Sequence, residues 1–79
     1  MQPYKNLSGN SGVVAYELGP DFIQVQFSDG AVYLYTISSA GFRYVTQMKD
    51  LARRGRGLSS FISTTVRDAY ARKQHEKKH

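Results

Sequence analysis

Phe22-Ile23-Gln24-Val25-Gln26-Phe27-Ser28-Asp29-Gly30-Ala31-Val32-Tyr33-Leu34-Tyr35-Thr36-Ile37 is the stretch that decides the fold class. Its opening alternates with period two. Ile23, Val25 and Phe27 fall on one face and Gln24 and Gln26 on the other, the pattern of a half-buried strand. Ser28-Asp29-Gly30 is a hairpin turn, because glycine supplies the positive φ such turns demand. Ala31 to Ile37 is then the returning strand, rich in β-branched and aromatic residues. Upstream, Val13-Val14-Ala15-Tyr16-Glu17-Leu18 has the same composition, set between turns at Asn10-Ser11-Gly12 and Gly19-Pro20-Asp21. The first half of the chain is therefore expected to form a three-stranded antiparallel meander.

The hairpin register decides what Tyr33 and Tyr35 can do. A two-residue Asp29-Gly30 turn pairs Phe27 with Val32 and sends both tyrosines away from the core, where they could stack on unpaired bases. A three-residue Ser28-Asp29-Gly30 turn pairs Phe27 with Ala31, setting Tyr33 beside Val25 and Tyr35 beside Ile23 on the core face. Period two makes the choice binary. The second register is favoured, since so short a chain needs the aromatic area in its core and Gly30 sits where that turn needs a left-handed residue.

Beyond Ser38-Ser39, which offers an N-cap hydroxyl, the period changes to that of a helix. Tyr44, Val45, Met48, Leu51 and Ala52 gather on one side. Arg43, Thr46, Gln47, Asp50, Arg53 and Arg54 gather on the other. Gly55 and Gly57 end this helix around Arg56. Leu58, Phe61, Ile62, Thr65, Val66, Ala69 and Tyr70 carry a second helical spacing. Ile62 to Val66 has low helix propensity, so a short strand over 61–66 stands as the alternative. The expected fold is α+β, a three-stranded antiparallel meander followed by two helices packed on one face of the sheet. One domain spans 8–72, with a short N-terminal extension over 1–7 and a polar basic, disordered tail over 73–79.

With 79 residues the chain holds one thin core, and with no cysteine it has neither disulfides nor thiolate metal sites. It shows no apolar run long enough to span a membrane and no secretory stretch at its start, so a cytoplasmic protein is expected. The net charge of +5 is unevenly placed. Residues 1–42 carry Lys5 against Glu17, Asp21 and Asp29, whereas residues 43–79 carry ten basic residues against Asp50, Asp68 and Glu76. The second half is where a polyanion would be drawn.

Catalysis has little to build on. The two histidines, His75 and His79, lie in the tail, so no base pairs with a nucleophile inside the fold. The carboxylates are scattered, Asp29 serves the hairpin turn, and Arg54-Gly55-Arg56-Gly57 lacks the phosphate-loop pattern. No enzyme activity, cofactor, metal or small-molecule substrate is expected. Arginine is a better lead: its planar fork holds phosphate in a bidentate manner and stacks on bases, and five of the six arginines fall between 43 and 67. An ordinary solvated helix face explains the same cluster equally well, since basic residues late in a helix complement its dipole.

The chain also resembles the KTSC domain, a short module found at the C-terminus of some lysyl-tRNA synthetases and alone as small bacterial proteins. The family's central Y-x-Y stands here as Tyr33-Leu34-Tyr35, preceded by its apolar-x-Val-x-Phe-x-x-Gly as Ile23 to Gly30. Its Asn followed six residues later by Tyr-Asp is similar to Asn10 and Tyr16-Glu17, and its Ile-Arg-x-x-Tyr ending to Val66-Arg67-Asp68-Ala69-Tyr70. The likeness covers residues 8–70. Ile37-Ser38 stands where the family has Val-Pro, and Ser63 where it has an Asn. The resemblance implies an association with RNA.

Charge and resemblance together give a small non-catalytic RNA-binding module. Arg43, Arg53, Arg54, Arg56 and Arg67 are its candidate phosphate contacts, and Tyr33 and Tyr35 its candidate stacking residues if the register exposes them. The alternative is a protein-interaction or accessory module, docking on an acidic protein or forming a homodimer through an open sheet edge.

Overall fold

The computed structural model describes residues 1–7, 9 and 11–75. The protein is α+β. An antiparallel meander, β1 (Gln2–Pro3), β2 (Val13–Leu18), β3 (Phe22–Phe27), β4 (Ala31–Thr36) and β5 (Arg72–His75), is laid out in sequence order. Between β4 and β5 come α1 (Ile37–Ala40), α2 (Phe42–Arg54) and α3 (Leu58–Phe61), the last running on into a single π-helical turn over Ile62–Val66.

The three central strands sit where alternation and turn chemistry put them. Val25 pairs with Tyr33 and Ile23 with Tyr35, the register of the three-residue turn. Gly30 has φ of 94° and its N–H donates to the Phe27 carbonyl. The Asp29 carboxylate accepts from the Ala31 N–H at 3.0 Å, locking the turn with its own side chain. On β2 the register shifts between Val13 and Ala15, so Val14 is the extra residue of a bulge and its carbonyl accepts from the Tyr4 N–H.

Ile23, Val25 and Tyr35 on the inner face of the sheet pack against Val45, Met48 and Ala52 of α2 and against Leu58, Ile62 and Val66. The helical spacing of Val45, Met48 and Ala52 is what turns these three inward while the arginines of α2 stay exposed.

Four expectations change. The N-cap belongs to Thr36 rather than to Ser38 or Ser39: its hydroxyl accepts from the Ser39 N–H while Ser39 reaches back to the Thr36 N–H. Gly41 (φ 101°) then separates α1 from α2, so the α-helices among the described residues number three, not two. The helix expected to run through Tyr70 stops at Val66. Ser63, Thr64 and Thr65 favour it weakly, and the chain reverses at Arg67 (φ 42°). Neither a long helix nor a strand over 61–66 forms.

The two ends of the chain also differ from their expected state. Residues 1–7 are part of the domain: Gln2 pairs with Tyr16, Tyr4 is buried in the core, and the Tyr4 hydroxyl accepts from the Leu58 N–H. At the other end, Lys73, Gln74 and His75 do not begin a disordered tail. They belong to β5, which pairs with β4 from Ala31 to Leu34. The remainder of the expected tail, Glu76 to His79, lies outside the described residues, as does Asn10 of the first turn. Among the described residues no helix is long and apolar enough to cross a membrane.

Candidate nucleic-acid interface

The five arginines singled out from the sequence are all exposed, and the fold divides them among three places. Arg53 and Arg54 form the last turn of α2, where positive charge complements the helix dipole. Gly55, left-handed at φ 80°, closes the helix by donating to the Leu51 and Ala52 carbonyls. Arg56 follows, held out between Gly55 and Gly57, both at positive φ. Arg43 lies at the start of the same helix, ten residues before Arg53 and so about 15 Å away along the axis. Among the described residues, the ion pair formed by these side chains is Arg53 with Asp50, at 3.9 Å and with both partners more than half exposed. Such a pair contributes at most about 0.5 kcal/mol and leaves the guanidinium open to other anions.

Lys5 joins this end of α2, and composition gave no sign of it. A methyl placed on Gly55 would lie 2.6 Å from the Lys5 Cβ, so the lysine stem runs directly over the glycine backbone. The Leu7 N–H donates to the Gly55 carbonyl at 2.7 Å and fixes that approach. Lys5, Arg53, Arg54 and Arg56 thus share one end of one helix. The signal that could have found Lys5 is Tyr4, the one aromatic in the polar opening segment. Lys49 does not belong to the patch, because its ammonium donates to the Gly19 and Pro20 carbonyls.

Arg67 stands elsewhere. It lines an open cleft of about 440 Å³ between the β3–β4 hairpin and the π-helical turn, together with Phe27, Asp29, Tyr33 and Ser63. Tyr35 contributes to the wall from inside the core. It has no exposed surface, so it is not a stacking residue. Its hydroxyl donates to the Arg67 carbonyl at 3.1 Å. Burial pushes the Tyr35 phenol well above its ordinary range, and the neighbouring Tyr33, Tyr70 and Asp68 add to the shift.

Tyr33 is half-buried. Its ring meets Phe27 edge-on at 5.3 Å and Tyr70 at 5.0 Å, and it lies parallel to Tyr35 at 6.3 Å. The Lys73 ammonium sits 5.3 Å from the Tyr33 ring centre. A hydrogen bond with the Tyr33 side chain, above all, raises the Lys73 pKa. Tyr33 is therefore framed on several sides and offers a ligand only the part of its surface that opens into the cleft.

Among the described residues no three His, Cys, Asp or Glu side chains converge as a metal site would require. Comparisons with protein-family models, with curated proteins and with solved structures found no match for this chain.

Proposed function

We propose that this protein is a small non-catalytic RNA-binding module, akin to the KTSC domain, that grips the phosphate backbone with Lys5, Arg53, Arg54 and Arg56. Arg43 extends the grip along α2. The observation that carries this reading is the gathering of four exposed cations at one helix end, answered among the described residues by Asp50 alone. Phosphates can displace so weak a pair readily, and each contact releases counterions. The likeness of Tyr33-Leu34-Tyr35 and its surroundings to the family supports the same conclusion.

Fluorescence anisotropy with a single-stranded RNA tests it. Four phosphate contacts give a slope of log affinity against log salt near about −3. The combined change Arg53→Glu, Arg54→Glu and Arg56→Glu should abolish binding. Absence of micromolar binding at low salt, or full binding by the triple variant, refutes the reading.

One observation favours a second reading, a module that pairs with itself or an acidic protein. The sheet ends on β5, whose outer edge faces no further strand among the described residues. Charge at Arg72 and Lys73 blunts that edge, which weighs against strand addition. Light scattering separates the two: an edge-paired dimer survives the triple change, whereas RNA binding does not.

A further inference from the structure

The cleft beside Arg67 has a chemistry that the backbone-gripping patch does not use. One wall is the β3–β4 hairpin with Phe27 and Asp29, the other is the π-helical turn with Ser63 and Arg67, and Tyr33 closes the inner end. At about 440 Å³ it falls in the lower part of the range of small-ligand pockets, roughly 300–1,000 Å³, which suits a single nucleotide and excludes a duplex. Its polar groups are of opposite sign and lie on opposite walls. The Arg67 guanidinium has no ion-pair partner among the described residues. Asp29 gives one carboxylate oxygen to the Ala31 N–H, which leaves the other free to accept. The Ser63 hydroxyl donates to the Ser60 carbonyl and keeps its lone pairs for a ligand.

From this juxtaposition we infer that the cleft binds one unpaired nucleoside monophosphate unit, its phosphate on Arg67 and its base lodged against Tyr33 and Phe27 with an amino group donated to Asp29. The inference rests on the RNA-binding reading for its source, a nucleotide of the bound strand, but the recognition chemistry is the same for a free mononucleotide. A planar ring suits the aromatic inner end. A carboxylate acceptor favours guanine, adenine or cytosine, whose exocyclic amines it accepts from, over uracil, whose one base donor is the imide N3–H. The guanidinium is placed by a backbone that the surrounding structure holds in a rarely adopted conformation. Arg67 has φ 42° and ψ −109°, with its carbonyl tied to the buried Tyr35 hydroxyl. Strain of this kind persists where the neighbouring structure over-determines it, and it collects at binding sites.

The test is a titration of the whole protein with each of the four ribonucleoside monophosphates, followed by amide chemical shifts, beside anisotropy with a single-stranded RNA. Wild type, Arg67→Gln and Asp29→Asn are compared, the last chosen because asparagine keeps the oxygen that accepts from Ala31. Native-like spectra of both variants confirm that they fold. The amides of 28–31 and 63–67 should shift with the amino-bearing nucleotides and least with uridine monophosphate. Arg67→Gln should weaken both mononucleotide and strand by roughly tenfold or more, the worth of a charge-assisted hydrogen bond. Asp29→Asn should erase the preference against uridine. If the strand binds but mononucleotides leave the cleft unmoved and Arg67→Gln binds as wild type, the pocket is refuted and the backbone grip stands. If mononucleotides bind in the cleft and the strand does not, the pocket stands and the RNA-binding reading falls. If neither binds, both fall.

Discussion

Replacing Arg67 by glycine should stabilise the fold while removing a cation from the cleft. At φ 42° and ψ −109° Arg67 lies outside the left-handed basin that residues with a side chain tolerate, near φ 57° and ψ 47°. It is held there from both sides: its N–H donates to the Ile62 carbonyl at 2.6 Å, and its carbonyl accepts from Tyr35 at 3.1 Å. A residue in so sparsely populated a region costs about 1–3 kcal/mol. Glycine removes that strain but adds about 0.5–1 kcal/mol of chain entropy to the unfolded state. The net gain is about 0–2.5 kcal/mol, centred near 1, and in a domain this small each kcal/mol raises Tm by roughly 4–8 °C. Alanine is the control, because Arg67→Ala loses the same guanidinium and keeps the strain. Urea titration and thermal melting of the two variants read the difference directly. Equal stability of Arg67→Gly and Arg67→Ala, or a less stable glycine variant, would refute the claim that this backbone is strained.

Two further outcomes follow from the same geometry. Because burial raises the Tyr35 phenol in the folded state, its contribution to stability is whole below the unfolded value of about 10 and is lost as pH climbs from there towards the folded value. Tyr35→Phe should therefore be less stable at neutral pH, by about 1 kcal/mol for the lost bond to Arg67, yet decline less steeply in alkali. Parallel urea titrations from neutral to alkaline pH check this, and equal alkaline slopes would count against it. Gly55→Ala meets a positive φ and the Lys5 Cβ together, so it should destabilise by at least about 1 kcal/mol and, by dislodging Lys5, weaken the proposed RNA binding. An unchanged melting curve would contradict the packing described for Lys5.

The parts of the fold that could be read from the sequence are those in which side chains alone carry the information. Alternation through Ile23, Val25 and Phe27, with Gly30 in the turn, specified a hairpin and favoured, without deciding, the register that formed, in which Tyr35 pairs with Ile23 on the core face. Val45, Met48 and Ala52 likewise announced the inner face of α2. β5 was hidden for the opposite reason. Arg72, Lys73 and Gln74 have the composition of a solvated tail, and what makes them a strand is backbone pairing with β4, begun where the Ala71 N–H donates to the Leu34 carbonyl. Ala69 and Tyr70 kept a helical spacing although the helix ends before them at Val66, so periodicity overstated the element once Ser63, Thr64 and Thr65 had weakened it. The candidate site divides along the same line. Exposed arginines on α2 follow from the helical period, whereas Lys5 reaches them through a long-range contact at which only the lone aromatic Tyr4 beside it hints.

That contact ties the proposed grip to the closure of the fold. Gly55 and Gly57 bracket Arg56, and the same short loop receives the N-terminal segment. Its Gly55 carbonyl accepts from Leu7, and the following Leu58 N–H donates to the buried Tyr4 hydroxyl. The backbone that displays the cations is thus the backbone on which β1 and Tyr4 complete the core. Four like charges at one helix end repel one another, a cost that the thin core of 79 residues must offset in the free protein. A polyanion bound across Lys5 and Arg54 would relieve the repulsion and pin the N-terminal segment to the loop, so ligand binding and docking of residues 1–7 would reinforce each other. By this logic Gly55 is there for proximity: only a residue without a side chain lets Lys5 lie against the end of α2, and only that closeness turns separate basic residues into one surface.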